Sequence, residues 1–298
     1  MEKSVHHFQK THAVQSWLNL LLSIGIIMGV FASIVVNLLS GPSELIQEVG
    51  VKTFRMFTDL SNMFIGITSA MTIPFAVEGL RHKNYHLPRW IMNLTLASVT
   101  AISVTLVTSL FVLSPRIGFV RVMLTSTNLL MHTIVPLIAI FSFLFINTYH
   151  TIKFKATIFA VIPVALYAMC YLVMAIFIGE ENGGWRDHYH FLEVMPWYCA
   201  LVIALAVAFG LANLLRFVHN RMHQQDKSAT EAYYQNAEAY DMPTIEEAIT
   251  KLAQENKGHD AGGEVIVPRR IIIILEKKYE SKKDLGYLCG IYLEEYLK

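Results

Sequence analysis

The sequence predicts an all-α polytopic membrane protein: a six-helix transmembrane bundle with a small cytoplasmic C-terminal tail. Three observations carry this expectation. Only 16% of the 298 residues are charged and 54% are hydrophobic, whereas soluble domains carry about 25% charged residues. Six stretches are each long enough to cross a bilayer, which takes about 20 apolar residues at 1.5 Å of rise each. Beyond residue 217 the composition turns polar and charged, with no further span. The same figures exclude other classes. A net charge of +1 supplies no basic field for a nucleic acid, and three cysteines make no disulfide framework.

The six stretches are 17–39, 54–77, 90–113, 122–146, 155–178 and 195–217. The first is too long for the apolar core of a cleavable signal peptide and lacks a small-residue cleavage site, so it is expected to remain as a span. Turn-forming residues punctuate the chain between spans: Gly41-Pro42, His86-Leu87-Pro88, Ser114-Pro115 and Gly183-Gly184. Pro74, Pro136 and Pro163 lie inside spans, where a proline either kinks the helix and opens a cavity or is simply tolerated.

Orientation follows from the basic residues beside the spans. With the N-terminus inside, Lys3, Lys10, Arg81, Lys83, Arg89, Lys153, Lys155, Arg216 and Arg221 are cytoplasmic. Lys52, Arg55, Arg116, Arg121 and Arg186 are then outside, in the company of the acidic Glu180, Glu181, Asp187 and Glu193. Both termini are therefore expected on the cytoplasmic side of the cell membrane.

The domain division expected is 1–220 for the membrane domain and 221–298 for the tail. In the tail, Thr244 and Glu247 have the spacing of a capping box, and Ile245, Ala248, Ile249 and Leu252 follow with helical period. Gly262-Gly263 ends that helix. The β-branched runs at 265–267 and 271–275 read as strands or as one buried turn and helix, making the tail partly helical or a small α+β unit. So short a tail is expected to lean on the membrane domain or on a cytoplasmic protein.

Polar side chains inside a span are costly, so each is expected to face a partner or a cavity. On the second span Thr58, Asn62, Ile65, Ser69 and Thr72 share one helical face, with Asp59 beside it. On the fourth, Thr125, Asn128, His132 and Pro136 form another, and Thr95, Ser98, Thr105 and Ser109 a third on span three. A neutral His132 could accept a proton, as a general base must; it could equally hydrogen-bond a neighbouring helix. The Thr58 hydroxyl has an ordinary use in returning to the carbonyl four residues back. Asn62 and Asn128 could donate to an oxyanion or join helices. Asp59 could reach headgroup water or pair with Arg55. On the residues alone the structural use is the default.

No Gly-x-Ser-x-Gly elbow, Walker loop or His-Glu-x-x-His helix occurs. Asp187, His188 and His190 approach a metal-ligand set without a third firm ligand, so neither a metal nor a cofactor is expected. Trp185, Tyr189, Phe191 and Trp197 are expected as interfacial aromatic anchors.

Two segments go further. Phe57-Thr58-Asp59-Leu60-Ser61-Asn62 resembles the Phe-Thr-x-Leu-x-Asn signature of the androgen-induced family of six-span membrane proteins. That family includes the androgen-dependent regulator of tissue factor pathway inhibitor and bacterial relatives. Met131-His132-Thr133-Ile134-Val135-Pro136 resembles its His-Thr-x-x-Pro segment, and 184–192 resembles its stretch before the last span. The resemblance covers roughly the first 220 residues; the long tail and bacterial-looking loops differ from the animal members. It implies an intramembrane hydrolase of fatty acid esters, with Thr58 as nucleophile, His132 as base and a membrane lipid or fatty acid ester as substrate. Asn62 or Asn128 would then hold the oxyanion, and Asp59 is the one candidate for a third, orienting group. Without that resemblance the chain reads as a non-enzymatic transporter, receptor or scaffold for its tail. Counted from the expected span starts, Thr58 lies about 8 Å and His132 about 15 Å below the outer surface, a disparity that hydrogen bonding would have to overcome.

Overall fold

The computed structural model describes residues 2–39, 50–82, 87–147, 151–189 and 195–238, with side-chain surroundings given between residues 14 and 223. Among the described residues the secondary structure is helical, with no strand. Six helices are long and apolar enough to cross a membrane: Val14–Leu39, Phe57–Arg81, Arg89–Ile117, Ser126–Ile146, Phe154–Ile178 and Trp197–His223. The chain is therefore a six-span helical protein of the multi-pass membrane class. The β-branched runs and the capping box expected in the tail lie outside the described residues. The sixth helix continues past residue 221 to Glu238, and the chain divides into compact units at Lys227 and Ser228.

The third span is the innermost, with 61% of its apolar window buried, and the sixth the most peripheral, with 17%. Its position inside explains why span three is almost free of charge yet rich in hydroxyls. Two of these pair with span two, Thr105 with Ser61 at 2.7 Å and Ser98 with Thr68 at 2.9 Å, and Ser23 of span one pairs with Thr72 of span two at 3.0 Å. Of the polar face expected on span two only Thr72 takes part, while Ser61 and Thr68 lie off that face; together they hold spans one, two and three, as small polar side chains do where lipid supplies no hydrophobic drive. Close approach completes the contact. A Cβ on Gly29 would meet the Val135 side chain at 3.0 Å, and one on Gly66 would meet Val30 at 3.5 Å. Ile26, Ile65, Leu96, Ile102, Val135 and Phe143 fill the space between the first four spans. Large apolar residues facing outward, among them Phe31, Leu166, Phe177, Val202 and Phe217, form the surface that hydrocarbon would cover.

Four wide π turns interrupt the spans, at Ser109–Leu113, Leu129–Ile134, Ser142–Ile146 and Leu172–Ile178. Two have a cause in the sequence. Pro115 and Pro136 follow them closely, and a proline cannot donate to the carbonyl four residues back. A π turn before it redistributes the freed carbonyls. After Leu129–Ile134 the Val135 amide donates to the carbonyl of Leu130, five residues back.

Candidate active site

One end of the bundle gathers three pieces of chain. The first is the start of span two. Its helix begins at Phe57, so Thr58 is the second residue of the helix and is half-buried. The second is a short helix, Phe119–Met123, introduced by Gly118 at φ 106 and followed by Ser126 at φ 50. The third is the segment 179–189, folded against the end of span five by hydrogen bonds from Gly184 to Gly179 and from Trp185 to the Met174 carbonyl.

The short helix sets the histidine. The last carbonyls of a helix have no partner inside it, and here the next span satisfies them. The Arg121 carbonyl accepts from the Thr125 hydroxyl at 2.7 Å and the Asn128 amide at 3.1 Å. The Met123 carbonyl accepts from the Thr133 hydroxyl at 2.8 Å. Between them, the Val122 carbonyl faces His132 Nδ1 at 2.8 Å. A carbonyl can only accept, so Nδ1 carries the proton and Nε2 carries the lone pair. That nitrogen lies 3.3 Å from the Thr58 hydroxyl, which donates to it. His132 is buried and sits within the π turn.

The 3.3 Å contact places the Thr58 and His132 side chains level, against the depth disparity counted from sequence. Span four begins at Ser126 and not at Val122, because Val122 belongs to the short helix that folds back over it, but span two also begins later, at Phe57, so the shift of span starts does not by itself close the gap.

Asn62, expected as an oxyanion donor, does something else. Its amide donates to the Thr58 carbonyl at 2.8 Å and to the Met131 carbonyl at 3.2 Å, which uses both hydrogens. It pins the turn bearing Thr58 to the residue before His132. Asp59, expected as an orienting group or a partner of Arg55, is buried and accepts from the Asn37 amide at 3.0 Å. Asn37 in turn accepts from Thr127 at 3.2 Å, so Asp59 ties spans one, two and four together. The group that orients His132 is the Val122 carbonyl. Thr125 belongs to the cap of the short helix and is exposed, outside the face expected of it.

Tyr189 was missed as a structural residue. Expected as an interfacial anchor, it is buried, and its hydroxyl accepts from the Phe57 amide at 3.0 Å, at the helix start beside Thr58. Burial pushes its phenol up to about 12. Tyr171, which donates to Asp187, packs its ring at a tilt against Tyr189, and Tyr167, whose hydroxyl donates to the Arg55 carbonyl at 2.8 Å, packs at a tilt against Tyr171. Phe191 and His190 lie outside the described residues. Among the described residues, no three potential ligands are grouped to hold a metal.

Two cavities meet at Thr58. One, of about 80 Å³, is bordered by His132, Asp59, Asn128, Arg121 and His188. The other, of about 100 Å³, is walled by apolar side chains of spans three, five and six. Comparison with family models, with curated proteins and with solved structures finds no match. What the arrangement can do must therefore be argued from its own chemistry. A hydroxyl donating to a correctly protonated, rigidly held imidazole is an activated nucleophile. Cavities on both sides give a reactant room to reach it.

Proposed function

We propose that this chain is an intramembrane hydrolase of lipid (fatty acid) esters, a member of the androgen-induced six-span family, with Thr58 as nucleophile and His132 as general base. One observation carries the reading: the 3.3 Å contact between the Thr58 hydroxyl and His132 Nε2, with the imidazole tautomer fixed by the Val122 carbonyl. The pair also falls on the two motif positions that the resemblance assigns.

The reaction balances with these groups alone. His132 Nε2 takes the Thr58 proton as the oxygen attacks the ester carbonyl. The imidazolium then returns that proton to the departing alkoxide, and the alcohol leaves an acylated Thr58. A water gives its proton to the same nitrogen, attacks the acyl carbon and releases the fatty acid, and Thr58 recovers its proton. With the Asn62 amide spent on backbone carbonyls, the Asn128 amide, which gives one hydrogen to Arg121, is the donor nearest in kind to what the oxyanion needs. We further propose that both termini are cytoplasmic in the cell membrane, which puts the site in the outer leaflet, and that the tail has a cytoplasmic protein partner.

The test is turnover of long-chain and branched fatty esters by the purified protein. Thr58→Ala and His132→Ala should each lower kcat by roughly a hundred- to ten-thousandfold, and a fluorophosphonate probe should label wild type at Thr58. Equal turnover by all three proteins would remove the proposal.

A further inference from the structure

Thr58, Leu113 and Tyr189 line both cavities, so Thr58 belongs to the wall between them. His132 borders only the polar one. This asymmetry decides how an ester must lie. The carbonyl carbon bears two arms, the acyl chain and the alcohol oxygen. The alcohol oxygen must collect its proton from His132 Nε2, so its arm has to occupy the chamber that His132 borders. The acyl arm is left with the other side.

The other side suits it. Val104, Val164, Leu172, Ile176 and Leu201 supply its hydrocarbon walls, and on the sixth span Ala200 and Ala204 leave room where larger residues would close it. The sixth span is also the least buried of the six, so this wall is the one nearest lipid, from which a chain would arrive. Resting on the ester-hydrolase reading, we infer that the apolar cavity is the acyl-chain site, and that Ala200 and Ala204 set the longest chain it accepts.

Each methylene buried is worth about fourfold in affinity, so filling the cavity's floor should tell on long chains before short ones. The experiment uses the full chain in lipid nanodiscs with butanoyl, octanoyl and palmitoyl esters of one fluorogenic alcohol. Ala204→Phe and Ala200→Leu should lower the palmitoyl-to-butanoyl turnover ratio by at least about tenfold. An unchanged ratio, or an equal loss along the whole series, overturns the inference. A second measurement needs no turnover. A palmitoyl ester with a diazirine at the chain end, irradiated with the Thr58→Ala protein, should label the peptides of spans five and six that hold Ala168, Ala200 or Ala204. Labelling elsewhere sinks the acyl-chain site whatever the turnover. Labelling there in a protein whose wild type cleaves no ester leaves the site standing and removes the hydrolase.

Discussion

Asn62 is the residue on which the pairing of Thr58 with His132 depends most. Its side chain is fully buried, and it joins the Thr58 carbonyl to that of Met131, one position before His132. Removing it takes this donor from the Met131 carbonyl, a cost of about 1–3 kcal/mol, while the Thr58 carbonyl keeps the Ser61 hydroxyl at 3.0 Å, and it frees the two helices to slide. Asn62→Ala should therefore lower kcat by about ten- to a hundredfold with little change in KM, since displacement by 1 Å is enough for such a loss; the kcat against KM split from steady-state kinetics is the check. Thr58, Asn62 and His132 were all legible in the sequence as polar residues in costly places, but their roles were legible only in part. The Val122 carbonyl that fixes the imidazole was not, because every residue has a carbonyl and none of them leaves a trace in the sequence. Tyr189 makes a prediction of another kind. Its phenol is raised by burial from about 10 to about 12, so the folded protein holds this proton longer than the unfolded chain does. The stability this represents is present in full below pH 10 and is lost as pH rises towards 12, on the order of 2 kcal/mol. Denaturation midpoints of wild type should fall through that window more steeply than those of Tyr189→Phe, which also starts lower because the Phe57 amide loses its acceptor.

At the scale of elements, the site is assembled by pieces that are not spans. The number and approximate limits of the spans could be read from length and hydropathy, because hydrocarbon thickness imposes them. The short helix Phe119–Met123 could not be separated from span four, since Phe119, Val120, Val122 and Met123 are as apolar as the span itself. What separates them is backbone conformation, the positive φ of Gly118 and of Ser126, and a serine in that conformation has no sequence signature. The π turn around His132 is similarly invisible except through Pro136. The segment between spans five and six has a sharper requirement. A Cβ on Gly184 would run into the carbonyl oxygens of Met174 and Gly179, and no side-chain rotation relieves a clash with backbone. Gly184→Ala should push this segment off the end of span five, carrying Tyr189 away from the Phe57 amide. The expected outcome is a loss of about 1–3 kcal/mol together with reduced ester turnover. Gly210→Ala, where the added carbon meets nothing within 4 Å, should leave both the melting midpoint and the turnover near wild type.

For the whole molecule, the alternation of successive crossings decides which ends lie together. Both the start of span two and the start of span four follow an odd-numbered crossing, and the segment 179–189 follows the fifth, so all three pieces of the site fall on the face opposite the first helix's N-terminal end. The connection at 151–153 falls on the other. There the Asn220 side chain both accepts from the Ile152 amide, at 2.7 Å, and donates to its carbonyl, at 3.0 Å. At this end Asn220 thus clamps the connection to the sixth span, while the two cavities at Thr58 lie at the opposite end. In the orientation proposed above, the excess of basic residues puts the clamped side in the cytoplasm. Cysteines introduced at Lys52 and at Lys153, both exposed and one at each face, should therefore behave oppositely in intact cells. A membrane-impermeant maleimide should modify Lys52→Cys directly and Lys153→Cys only after permeabilisation. The reverse pattern would turn the molecule over and deliver the site to the inner leaflet, leaving the Thr58–His132 geometry untouched but changing which pool of lipid esters can reach it.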